Sequence, residues 1–134
     1  MILTYLDSGV LIAAFRLDNE IAQRAWEILD DPNRVFASSI FVKIEVLPKP
    51  IFNRRHYEVE FYNEFFNKVS LWVEFSKDLV ESAYSEATRS GLSAIDAFHV
   101  VSAASVRADE LITTEKISKP IHRTDLVAIR SINE

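Results

Sequence analysis

The 134-residue sequence has no cysteine. That excludes disulfides and thiolate metal sites, and makes a reducing cytoplasm the expected compartment. Glycine and proline are scarce, at two and four residues, which argues for long regular elements and few irregular loops. No stretch approaches the roughly 18 uninterrupted apolar residues of a membrane span, so no membrane association is expected. The opening Met1-Ile2-Leu3-Thr4-Tyr5-Leu6-Asp7 lacks a basic flank and meets a charge too early for a signal peptide. Positive charge is also in deficit: 15 Lys and Arg stand against 20 Asp and Glu, for a net charge of −5. A dedicated duplex-DNA binder is usually basic, which counts against tight, sequence-independent nucleic-acid binding. A nuclease is not excluded, because acidic metal ligands carry negative charge that bound cations offset.

Hydrophobic residues make up 49% of the chain and charged residues 26%, with nine Phe, four Tyr and two Trp. This is a globular composition with ample material for a core, and the length suggests one domain over residues 1–134. Apolar runs at Ile2–Leu6, Val35–Ala37, Val69–Phe75, Glu110–Thr113 and Leu126–Ile132 predict strands. Helices are expected over Val10–Phe15, Asn19–Leu29, from Ser38 or Ser39 to Leu47, over Arg54–Asn67, Asp78–Arg89 and around Asp96. Pro48 and Pro50 should end the third, and Gly91 should follow the fifth. Strands alternating with helices give a three-layer α/β domain with a mostly parallel sheet of about five strands. Sites in such sheets form beyond the C-terminal strand ends.

Asp96 is the only charged residue between Leu92 and Arg107, within a segment that is apolar nearly all round. A helix of that kind packs centrally, and an ionised carboxylate there is costly without a cation or hydrogen-bond donors. Ser93-Ala94-Ile95-Asp96 also fits a capping box, which gives the acid a structural role at the helix start. Three more carboxylates stand in comparable places. Asp7 ends an apolar strand, where an N-cap or Asx turn is the plain explanation. Glu45 falls within the apolar arc of Phe41-Val42-Lys43-Ile44-Glu45-Val46-Leu47, with Lys43 roughly opposite; a solvated helix face is the plain explanation. Glu115 follows Leu111-Ile112-Thr113-Thr114, where a simple loop acid is the ordinary reading, and Thr113 and Thr114 add hydroxyls. His99, one turn after Asp96, reads as a core ring rather than a ligand. Asp109 and Glu110 read as an acidic turn. If the four acids converge, they form an oxygen-ligand site suited to Mg²⁺ or Mn²⁺ and a phosphate-bearing substrate.

Taken together, Tyr5-Leu6-Asp7-Ser8-Gly9-Val10, Ser39-Ile40-Phe41-Val42-Lys43-Ile44-Glu45, Leu92-Ser93-Ala94-Ile95-Asp96-Ala97-Phe98-His99 and Leu111-Ile112-Thr113-Thr114-Glu115 resemble the four acidic motifs of the PIN-domain family of metal-dependent ribonucleases, which includes VapC-type toxins. The resemblance covers nearly the whole chain. It implies that Asp7, Glu45 and Asp96 hold Mg²⁺ or Mn²⁺, with Glu115 binding directly or through water, and that the four are catalytic. It also implies an RNA substrate, frequent homodimers and, in toxin members, a cognate antitoxin. Gly9 stands where many members carry Ser or Asn, and Glu115 where Asp is commoner. Two basic clusters lie where RNA could pass: Lys116, Lys119, His122 and Arg123, and Lys49, Arg54, Arg55 and His56 beside Phe52 and Tyr57. The alternatives are a PIN-like interaction module without nuclease activity and a receiver-like phosphoacceptor domain. The latter needs paired acids after the first strand, and Asp7 has no acidic neighbour.

Overall fold

The computed structural model describes all 134 residues. Five strands form one sheet: β1 (Ile2–Leu6), β2 (Arg34–Ser38), β3 (Leu71–Trp72), β4 (Glu110–Thr113) and β5 (Ile129–Ser131). Every pairing is parallel, and the order across the sheet is β3-β2-β1-β4-β5. Seven helices flank it: α1 (Ser8–Arg16), α2 (Glu20–Leu29), α3 (Ile40–Val46), α4 (Pro48–Phe52), α5 (His56–Lys68), α6 (Lys77–Ser90) and α7 (Ala94–Ser105). A 3₁₀ turn covers Pro120–Arg123. This is the expected three-layer α/β architecture. Right-handed crossovers carry α1–α5 on one face while the chain steps outward from β1 to β3. The return from β3 to β4 then places α6 and α7 on the other face.

Local chemistry explains most element ends. Asn19 caps α2 by accepting the Ala22 N–H at 3.1 Å, and Ser76 caps α6 by accepting from Leu79 at 3.1 Å. Gly91 closes α6 at φ +67°, a left-handed conformation that favours glycine. Pro48 ends α3, but it also opens α4, because proline at the first helical position lacks only an N–H that would be unpaired there. The fourth predicted helix starts at His56 rather than Arg54, whose φ of +54° lies outside helical space.

Two strands are shorter than their apolar runs. β2 reaches β3 only through Ala37 and Ser38, so β3 pairs at Leu71 and Trp72 and not over Val69–Phe75. β5 pairs with β4 over Ile129–Ser131 alone, because β4 itself ends at Thr113. The core runs through the centre of the sheet, where Tyr5, Leu6, Leu111 and Ile112 are fully buried beneath Val10, Val42 and Val100. No helix is long and apolar enough to cross a membrane.

The direction of strand order reverses between β1 and β4. Beyond the C-terminal ends of these two strands lies a crevice of the kind in which parallel α/β sheets place their sites.

Candidate functional site

Asp7 stands at that crevice. Its backbone N–H extends the β1–β4 ladder by one bond, to Ile112 O at 3.0 Å, and the residue is 7% exposed. Although it occupies the N-cap position of α1, its carboxylate makes no capping bond. Oδ2 instead accepts the Thr113 hydroxyl at 2.5 Å. Thr113 Oγ1 in turn accepts the Glu115 N–H at 3.0 Å, so one hydroxyl joins the exits of β1 and β4. The other oxygen, Asp7 Oδ1, is buried and has no hydrogen-bond partner. Burial is the main reason its carboxyl is pushed up to about 6; the Thr113 bond, the nearby His99 and the Val10 backbone N–H oppose the rise, and the charge of Asp96 adds to it.

Gly9 shapes the same corner. A Cβ there would lie 2.4 Å from Thr114 Oγ1 and 3.3 Å from Asp7 Oδ1. The Thr114 hydroxyl thus fills the space a side chain at position 9 would need, which gives the departure at Gly9 a local physical reason.

Asp96 sits in the first turn of α7, half-buried, with its backbone N–H given to Ser93 Oγ at 3.3 Å. Ser93 therefore caps the helix as the sequence predicts. Burial raises the Asp96 carboxyl above its ordinary range; His99 and Ser93 hold it down, while Glu115 and Glu45 push it further up. Asp96 is thus within electrostatic reach of Asp7, Glu45 and Glu115. Glu115 itself lies beyond β4 and is exposed.

Glu45 lies on α3, and its helical face differs from the predicted one. Ile40 and Ile44 are exposed, whereas Lys43 lies over the rings of Trp72 (4.6 Å) and Phe66 (5.5 Å). The aliphatic stem of a lysine packs on apolar surface while its ammonium faces the rings, so Lys43 is no marker of the solvent side. Glu45 keeps 30% of its side chain exposed, and Oε1 accepts two bonds, from Ser8 Oγ at 2.8 Å and from His99 Nε2 at 2.5 Å. Burial would raise the Glu45 carboxyl, but the His99 and Ser8 bonds outweigh it and hold the group below its usual value. Phe41 stacks on Phe98 at 4.4 Å and so fixes α3 against α7.

His99 is the core ring the sequence predicts, and it is also bonded into the site. It is 2% exposed and tilted against the Tyr5 ring, as a core histidine would be. Both ring nitrogens are nonetheless engaged, Nε2 with Glu45 and Nδ1 with the Tyr5 hydroxyl at 2.8 Å. The Tyr5 hydroxyl also meets Ser39 Oγ at 2.7 Å. A histidine one turn from a half-buried acid was the available signal. Its partners on β1 and α3 were invisible without the fold.

No three His, Asp or Glu side chains stand close enough together to make a ready cation cage. The donor chemistry still fits a hard divalent cation. Asp7 Oδ1 is an orphaned carboxylate oxygen in a dry setting, and Asp96 and Glu45 bring oxygen donors to the same crevice. One basic cluster adjoins the fourth acid and the other lies on an exposed aromatic surface. Phe52 and Tyr57 are 85% and 83% exposed. Beyond β4, His122 Nε2 meets Glu115 O at 2.9 Å, while Lys116 and Lys119 are exposed.

Comparison with known proteins agrees with this architecture. No curated protein matches the chain in sequence. Among solved structures, VapBC2 from Rickettsia felis, bound to a DNA fragment from its promoter, is similar at TM-score 0.70 and 14% identity, covering 97% of this chain and 98% of that one. A toxin–antitoxin complex from Klebsiella pneumoniae follows at 0.67 and 19%, covering 93% and 95%. VapBC-1 from nontypeable Haemophilus influenzae is similar at 0.66 and 18%, covering 99% and 100%. At these identities the likeness is one of fold. The family model for the PIN domain matches residues 4–120, and the chain therefore belongs to the PIN domain family.

Proposed function

We propose that this chain is a metal-dependent ribonuclease and the toxin of a toxin–antitoxin pair. The observation that carries the reading is Asp7 Oδ1, a buried carboxylate oxygen without a partner at the β1–β4 crevice. A carboxylate left so is costly unless a cation satisfies it. In this reading Asp7, Glu45 and Asp96 hold Mg²⁺ or Mn²⁺, and Glu115 joins them directly or through water. Such an ion lowers the pKa of bound water and offsets charge on a phosphodiester. The protein's part is to keep Asp7 fixed through Thr113, to hold Asp96 at the capped start of α7 and to present Glu45 from α3.

The test is cleavage of RNA in Mg²⁺, in Mn²⁺ and in EDTA, by wild type and Asp96→Asn side by side. The expected result is cleavage with either ion, loss in EDTA and loss in the variant with its fold retained. Products should carry a 5′-phosphate, and a substrate with a 2′-deoxyribose at the cut site should still be cleaved. Cleavage that persists in EDTA contradicts the metal reading.

The wide setting of the acids supports a second reading, a PIN-like interaction module without nuclease activity. Mn²⁺ binding without cleavage of any RNA would select it. The antitoxin is proposed on the fold likeness to toxin–antitoxin complexes, and a homodimer only on what membership of the family implies. The test for the antitoxin is co-purification with the product of the adjacent reading frame.

A further inference from the structure

We infer that His99 is a positioning residue, held from behind by Tyr5 and Ser39, that locks Glu45 so that Oε2 alone is presented to the cation. The inference rests on the metal reading above and specifies how one of its ligands is kept in place.

Glutamate has three rotatable side-chain bonds and loses considerable freedom when fixed. Glu45 extends from the partly open face of α3, where no packing locks its carboxylate. Two donors do so instead. Ser8 Oγ gives its proton to Oε1 at 2.8 Å, and His99 Nε2 lies 2.5 Å from the same oxygen. An ionised carboxylate only accepts, so Nε2 carries the proton that faces it. No protein group bonds Oε2, and 30% of the side chain stays open.

The ring that makes the second bond is itself fixed. His99 is 2% exposed on α7, and its far nitrogen meets the Tyr5 hydroxyl at 2.8 Å. Tyr5 lies fully buried in the central strand, and its hydroxyl is shared with Ser39 at the N-cap of α3. The chain Ser39–Tyr5–His99–Glu45 begins at the start of α3 and returns to its last turn by way of β1 and α7. A buried imidazole bonded at both nitrogens cannot rotate without leaving a polar atom unpaired. Partners that orient a metal ligand without touching the metal typically set about 10–100-fold of metal affinity.

The experiment measures Mn²⁺ affinity of the metal-free protein by the loss of the free-ion EPR signal, with a thermal unfolding curve for every variant. His99→Phe keeps a ring in the core and removes the donor; its folded form should bind Mn²⁺ about 10–100-fold more weakly than wild type. His99→Gln places an N–H near the former Nε2 and should recover most of that loss. Tyr5→Phe leaves His99 in place but frees its far nitrogen, and should weaken binding several-fold. Wild-type Mn²⁺ affinity in folded His99→Phe overturns the inference and leaves a merely structural histidine. Should His99→Phe fail to fold, wild-type affinity in Tyr5→Phe overturns it equally. A wild-type protein that binds no Mn²⁺ and cuts no RNA overturns the metal reading itself, and this inference with it.

Discussion

With no cation bound, the Asp7 carboxyl holds its proton up to about pH 6, whereas its ordinary value is 3.8. Between those two values the folded state binds more protons than the unfolded state, so stability falls as pH rises through the window. The full cost, about 3 kcal/mol for a shift of about two units, is present above pH 6. Asp7→Asn removes the charge and can keep the bond from Thr113. In EDTA the variant should therefore match wild type near pH 3.5 and exceed it by up to about 3 kcal/mol at pH 7. Urea denaturation at several pH values checks this. A variant less stable than wild type at pH 7 in EDTA would show that Asp7 is a structural acid and not an uncompensated one. Mg²⁺ should stabilise wild type at pH 7 and leave Asp7→Asn nearly unchanged.

Helix starts give a matched pair of variants. Ser76 caps α6 and Ser93 caps α7, each by accepting one backbone N–H. Replacing either by alanine should cost about 1 kcal/mol of stability. Only Ser93→Ala should also weaken Mn²⁺ binding and RNA cleavage, because the N–H it releases belongs to Asp96. Equal effects of the two variants on cleavage would mean that the start of α7 has no special part in the site. At this scale the sequence was informative where chemistry is local. Gly91 and Ser93 mark helix boundaries through hydrogen bonds within a few residues, and both are where the pattern put them. It misled where tertiary partners decide. Lys43 turned inward because Trp72 and Phe66 offer their rings, and β3 shrank because β2 has only two residues to pair with it.

For the whole molecule, periodicity and element order were enough for a parallel α/β sheet, but strand order was not legible. The order fixes which strand ends share a crevice, and so why Asp7 and Thr113 meet although 106 positions separate them. The link from Glu45 to His99 was hidden for the same reason, since it crosses from α3 to α7. The net charge of −5 means that RNA must approach through local basic surface. Lys116 and Lys119 are exposed just beyond Glu115. In an Asp96→Asn background, converting both to alanine should weaken single-stranded RNA binding. Its logarithmic salt slope should fall by about 1.4, at about 0.7 for each phosphate no longer neutralised. An unchanged slope would place the RNA path elsewhere, with the cluster around Phe52 and Tyr57 the next to test.

The central claim, that Asp7, Glu45 and Asp96 together hold one divalent cation, is tested most directly by calorimetric titration of Mn²⁺ into wild type, Asp7→Asn, Glu45→Gln and Asp96→Asn at pH 7. The account predicts binding to wild type and at least about a tenfold loss of affinity in each variant, since removing one charged ligand forfeits on the order of 1.4 kcal/mol or more. Wild-type affinity in all three variants would contradict it.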